Sequence, residues 1–263
     1  FITPAQAQDR GNRNGGEYRI PVRYGDIEGI ARYRVLDWAG ASARSIIYHH
    51  GSGETRYADR IRKISSAMDG YGACNLVAVS VPFNSGMKEY LHGVGSLARF
   101  AFMLASSVRL TEEIVRYLRF LGAERISCAG MSLGGWITNL HHSYFDSCDE
   151  YLPIFAGAAP DHLFSDTVYK KLLAEAVRSE ENFRRIREAI NFEQDFAQRS
   201  NANVYPCMAH YDQFIRLERQ AGIYRPGQIR LLERGHVTGA TARKELAGYL
   251  SNGGIGGHHE HTQ

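Results

Sequence analysis

The stretch Cys128–Trp136, CAGMSLGGW, sets Ser132 between Gly130 and Gly134 in a Gly-x-Ser-x-Gly pattern. Alone, such a pattern is weak evidence, because Gly-rich connectors produce it by chance. Its flanks give it weight. RISCAG (125–130) reads as a short apolar strand, and LGGWITNLHHSYF, from Leu133, reads as a helix. A strand–turn–helix junction forces the serine into a sharp turn with unfavourable dihedrals. Glycine is needed at 130 and 134 because strand and helix approach closely there. The same turn puts Ser132 at a helix N-terminus, where backbone N–H groups and the helix dipole favour developing negative charge.

Outward from this stretch the chain alternates. EYRIPVRYG and GIARYRVLD, separated by Asp26 to Glu28, read as an antiparallel hairpin. RSIIYHHGSG is an apolar strand entering a Gly-rich turn. ETRYADRIRKISSAMDGYG carries Tyr57, Ile61, Ile64 and Met68 at helical spacing, with Gly70 and Gly72 as stops. CNLVAVSVPF is a buried strand. Ser96 to Leu121 is helical in pattern, with a break expected near Thr111. EYLPIFAGAAP, NVYPCMAHYD and QIRLLERGH read as further strands, and TGATARKELAGYL as a closing helix. Strands alternating with helices over most of the length predict an α/β class with a mainly parallel central sheet covered by helices on both faces. The expected organisation is a polar leader over 1–16, one domain over 17–250 and a flexible Gly/His tail over 251–263.

Composition narrows the function classes. The 263 residues are 44% apolar and 22% charged, with a net charge of +3, as in a soluble globular chain. Lys and Arg alternate with Asp and Glu, and no basic block interleaved with aromatics suggests nucleic acid. No run approaches the roughly eighteen apolar residues of a membrane span. The leader, FITPAQAQDRGNRNGG, has no charged region followed by an apolar one. Cys74, Cys128, Cys148 and Cys207 show no C-x-x-C spacing, which favours a reducing, cytoplasmic setting. Secretion or a periplasmic location is the alternative if a signal peptide has been removed. Oligomeric state is left open.

A serine hydroxyl needs a base, and the base an orienting acid. Of the histidines beyond Asp212, His258, His259 and His261 fall in the tail, whereas His236 follows a strand and precedes a helix. That places it at the C-terminal edge of the sheet, where open α/β folds bind ligands. Asp212 leaves its strand at the same edge and is the favoured acid, with an Asx turn at a strand end as the lesser reading of an aspartate there. Asp161, in GAAPDHLF, is the alternative acid, and Glu218 a weaker third. Oxyanion donors are expected from Leu133, the residue after the serine, and from Ser52 or Gly53 in HHGSGE. His49 and His50 read as structural, one of them holding that turn by hydrogen bonds.

Together HHGSG, GMSLGG, AHYD and RGH, in this order, resemble the α/β-hydrolase superfamily over roughly Tyr18 to Leu250. Carried over by position, the resemblance implies Ser132 as nucleophile, His236 as base and Asp212 as acid. Two departures stand out. Ala209 replaces the glycine that many members have three residues before the acid, and the oxyanion turn reads His-Gly-Ser-Gly rather than a run of three glycines. Asp161 to about Asn203 occupies the position of the family's helical lid, with Phe164, Val168, Leu172, Leu173 and Val177 on one side, more in keeping with packing onto the core than with lining a pocket. FNSGMKEYLHG is a second candidate pocket wall. The implied activity is a serine esterase acting on a small-molecule ester, with no cofactor or metal. Thioesterase, amidase, peptidase or acyltransferase chemistry on the same triad is the alternative, as is a non-catalytic binder on the same fold. Metal binding by His258, His259, Glu260 and His261 lacks a preorganised setting.

Overall fold

The computed structural model of the chain describes residues 16–68, 73–167 and 179–253. The leader over 1–15, Gly70 and Gly72, the lid residues Val168, Leu172, Leu173 and Val177, and the tail with His258, His259, Glu260 and His261 lie outside the described residues.

The hairpin forms as β1 (Glu17–Tyr24) and β2 (Ile27–Asp37), antiparallel. Tyr24 pairs with Ile27, so the turn is only Gly25–Asp26, tighter than the Asp26–Glu28 separator expected. Gly25 sits at φ 56°, the left-handed conformation that two-residue hairpins require. β2 continues antiparallel onto β4 (Asn75–Ser80), which pairs in parallel with β3 (Ser45–His49). From β3 the sheet runs in parallel through β5 (Ile126–Met131), β6 (Glu150–Ile154), β7 (Cys207–Ala209) and β8 (Arg230–Leu232). The strand order is β1-β2-β4-β3-β5-β6-β7-β8.

The sheet's pleat sorts the core into two layers. Ile47, Val77, Val79 and Cys128 point to the side of α2 (Met87–Val94), α3 (Leu97–Phe120) and α4 (Leu133–Tyr144). Ile46, Tyr48, Leu76, Ala78 and Ala129 point to the other side, with Ile61 and Ile64 of α1 (Asp59–Ser65) and Leu246 and Leu250 near the C-terminus. β3 to β6 are buried along their whole length, which is why they read as continuous apolar runs without alternation.

The break expected near Thr111 is absent. α3 runs unbroken for 24 residues. The Thr111 hydroxyl donates to the Ser107 carbonyl one turn back at 2.8 Å, so this β-branched residue is satisfied inside the helix. The bend lies earlier, where α2 and α3 meet at 107°. FNSGMKEYLHG is therefore helical from Met87 onward. Among the described residues no single helix is long and apolar enough to cross a membrane. All four cysteines are free, with Cys128, Cys148 and Cys207 buried.

In the stretch after β6, α5 (Asp161–Asp166), α6 (Glu180–Ile190) and α7 (Glu193–Ala197) are formed. Ile190, Phe192 and Phe196 join the core, and Phe164 meets Phe100 edge-on at 5.9 Å. The described apolar residues of this stretch thus pack onto the body.

Candidate active site

Ser132 stands between β5 and α4 at φ 54°, ψ −110°, a conformation that costs a non-glycine residue of order 1–3 kcal/mol. Its neighbours show how the strain is held. A Cβ on Gly130 would lie 2.2 Å from the Gly134 carbonyl oxygen, and one on Gly134 would lie 2.2 Å from the His49 carbonyl oxygen. A Cβ on Gly135 would lie 2.5 Å from that of Ala156. Only glycine at these positions lets α4 come this close to β3, β5 and the end of β6. The Ser132 N–H donates to the Ile154 carbonyl at 2.8 Å, anchoring the turn to the neighbouring strand.

Asp212 and His236 come together as expected. Asp212 Oδ2 accepts a 2.6 Å hydrogen bond from His236 Nδ1. Its other oxygen, Oδ1, accepts the N–H groups of Phe214 and Ile215, both at 2.8 Å. The Asx turn and the contact with His236 are thus not rivals, since one oxygen serves each. With both carboxylate oxygens accepting, the proton sits on Nδ1, and Nε2 keeps its lone pair for a substrate-side proton. The Asp212 side chain is wholly buried and that of His236 is 17% exposed. Asp161, the alternative acid, is occupied elsewhere, accepting from Asn191 at 2.8 Å and facing Arg187. Glu218 pairs with Arg216 at the surface.

His236 opens α9 (His236–Ala240), which follows α8 (Leu217–Gln220) and β8, and it stands at the C-terminal edge of the sheet. Two rings that the sequence reading did not single out enclose its imidazole. Phe155 lies with its centroid 5.6 Å away, and Phe214 meets it edge-on at 5.3 Å. Phe155 directly follows Ile154, whose carbonyl holds Ser132, so one short segment touches both halves of the site. The available signal was position, since Phe155 ends EYLPIF at the same sheet edge as Asp212. No hydrogen bond joins Ser132 Oγ to His236 in this structure. Among the described residues no group of three His, Cys, Asp or Glu is arranged to hold a metal.

The turn after β3 leaves its expected donors without partners among the described residues. Gly53 lies at φ 71°, and among the described residues neither Ser52 nor Gly53 spends its N–H on another group, nor does Leu133. His50 holds the turn. Its Nδ1 donates to the Gly51 carbonyl at 2.7 Å, and its Nε2 accepts the Val81 N–H at 3.3 Å. Asn84 adds a 3.0 Å bond to the Glu54 carbonyl. Burial drives the His50 pKa below that of a free imidazole and so keeps the ring neutral, as this bonding pattern needs. His49 faces away, donating from Nε2 to Thr111 Oγ1 at 2.8 Å.

No protein-family model matches the chain, and no curated protein matches its sequence. Solved structures match it in shape. An acylaminoacyl peptidase from Pyrococcus horikoshii superposes with a TM-score of 0.61 at 14% identity, over 92% of this chain and 41% of the peptidase. A cold-adapted esterase from an Arctic intertidal metagenomic library gives 0.56 at 13% identity, over 93% of this chain and 96% of the esterase. An esterase from Pyrococcus furiosus gives 0.55 at 15% identity, over 96% and 92% respectively. The chain therefore spans about two fifths of the peptidase and nearly all of each esterase. At such identities the likeness is one of fold.

Proposed function

We propose that this chain, which has the α/β-hydrolase fold, is a serine hydrolase that cleaves carboxylic esters of small molecules through an acyl-enzyme. The observation that carries the proposal is the buried Asp212–His236 pair at the same sheet edge as a serine held at positive φ on a strand-to-helix turn. In this scheme Ser132 Oγ attacks the ester carbonyl carbon while His236 Nε2 takes the hydroxyl proton. The carbonyl electrons move onto oxygen, where the Leu133 N–H and that of Ser52 or Gly53 meet the charge. Collapse of this oxyanion breaks the bond to the alcohol, which leaves with the proton from His236. Water then attacks the acyl carbon, giving a proton to His236, and that proton returns to Ser132 Oγ as the acid departs. The Ser132–His236 hydrogen bond, absent from the free protein, forms in this scheme when substrate occupies the site.

Within the same proposal residues 161–203 are the lid over the site, and FNSGMKEYLHG, through Met87 of α2 near Gly53, lines its mouth. The four free cysteines support a reducing, cytoplasmic location. The test is hydrolysis of p-nitrophenyl esters of increasing acyl length by wild type and Ser132→Ala, beside matched p-nitroanilides. Ester turnover that disappears in Ser132→Ala, with fluorophosphonate labelling of Ser132 in the wild type, is the expected result. Unchanged hydrolysis in Ser132→Ala would remove Ser132 as nucleophile. Anilide turnover exceeding ester turnover would move the substrate class to amides, and the absence of both labelling and turnover would favour a binder on this fold.

A further inference from the structure

We infer that Arg60 is a positioning residue that fixes the oxyanion turn relative to the helix carrying His236. The inference rests on the serine-hydrolase reading for its catalytic consequence but not for its geometry. Arg60 lies on α1, outside the sheet. Its Nε donates to Glu54 Oε1 at 2.5 Å, and its Nη1 donates to the Ala240 carbonyl. Glu54 closes the turn that begins at Gly51, and Ala240 is the last residue of α9. One guanidinium thus joins the turn after β3 to the end of the helix that carries His236.

A cleft of about 460 Å³ is lined by Gly53, Glu54 and Thr55 of one segment, by Ala240 and Thr241 of the other, and by Arg60. Among the described residues no other hydrogen bond or ion pair joins residues 51–55 to 236–241. His50 and Asn84 tie the turn only toward β4. The side chains of Arg60 and Glu54 are 27% and 19% exposed, so the pair is partly desolvated and less screened than a surface pair. The second Glu54 oxygen is buried without a partner, which makes this carboxylate dependent on Arg60. Arginine suits the task because its planar fork offers two N–H vectors in a fixed relation, which a lysine ammonium does not. Sub-ångström drift between donor and base is costly, since a misplacement of about 1 Å can lower rates about a hundredfold.

The test compares Arg60→Ala, Arg60→Lys and Glu54→Gln with wild type by hydrogen exchange and by ester kinetics. The expected result is faster amide exchange in both 51–55 and 236–241 of Arg60→Ala, with α3 unchanged. In the same variant kcat falls about tenfold to a hundredfold while KM stays within about twofold, and Arg60→Lys recovers part of the loss. Glu54→Gln combined with Arg60→Ala should cost little more than Arg60→Ala alone, because Arg60→Ala already removes the contact to Glu54. Exchange that rises in one segment only, or in neither, overturns the clamp, as does an unchanged kcat in Arg60→Ala. The exchange result decides the clamp even if the wild type turns over no ester, an outcome that would count against Ser132 instead.

Discussion

Asp212 carries two duties on separate oxygens, and this division makes its role testable. Oδ1 binds the Phe214 and Ile215 amides while Oδ2 orients His236. In Asp212→Asn the amide oxygen takes over the turn, leaving the amide NH2 facing His236 Nδ1. Two donors cannot face each other, so the imidazole shifts its proton to Nε2 and loses its lone pair toward the serine. The expected outcome is a fall in kcat of about three to four orders of magnitude with an unaltered denaturant midpoint. Asp212→Ala removes both duties, and its midpoint should fall as well. Asp161→Asn should retain wild-type turnover, because Asp161 engages Asn191 and Arg187 instead. Urea melts and steady-state kinetics on the three variants check this. A kcat for Asp212→Asn within tenfold of wild type would exclude Asp212 as the orienting acid.

The β5–turn–α4 junction is the part of the fold most tightly specified by its residues. Gly134→Ala brings a Cβ against a main-chain carbonyl, which cannot rotate away as a side-chain end would. Helix propensity favours alanine by about 1 kcal/mol, but forcing α4 off β3 costs about 1–3 kcal/mol or more. The expected result is a net loss of stability, together with reduced fluorophosphonate labelling of Ser132, since the turn moves with the helix. A Gly134→Ala protein that melts at or above the wild-type midpoint would show that the close approach is absent in solution. This junction was legible in the sequence because every requirement on it is local: an apolar run, two spaced glycines and a helical pattern. The hairpin and the fully buried strands were legible for the same reason. The unbroken α3 was not, because Thr111 is satisfied by a back-bond and by His49, 62 residues away. Phe155 and Arg60 were missed likewise, since neither carries a motif and both matter only through what the fold brings beside them. The order acid-then-histidine pointed to Asp212 and His236, and the structure shows that Asp212, not Asp161, is the carboxylate in contact with His236.

Across the whole molecule, imidazoles buried in the neutral form tie stability to pH. His49 is fully buried, its Nε2–H spent on Thr111 and its Nδ1 without a partner. Charging the ring would place a second N–H in an apolar setting with nothing to accept it, so burial, with smaller contributions from His50 and His141, pulls its pKa from 6.5 down to about 3. His50 is lowered too, again chiefly by burial, because its Nε2 must stay an acceptor for Val81. The unfolded chain binds these protons near pH 6.5, whereas the native state refuses the one on His49 until about pH 3. Between those values the unfolded state holds more protons, so stability falls as pH drops and is flat from this source above 6.5. Each such histidine contributes a slope of up to about 1.4 kcal/mol per pH unit. Urea midpoints should therefore decline steadily from pH 6.5 toward pH 5, before most carboxylates begin to protonate, and His49→Gln should make that decline shallower. The imidazole nitrogen resonances of His49 should meanwhile keep their neutral positions down to pH 5. A His49 that titrates near 6.5 in the native protein, or midpoints that stay level across the window, would rule this account out. Because His50 also fixes the turn that follows β3, its protonation removes the Val81 contact and releases the turn, so acid should loosen residues 51–55 before the sheet itself gives way.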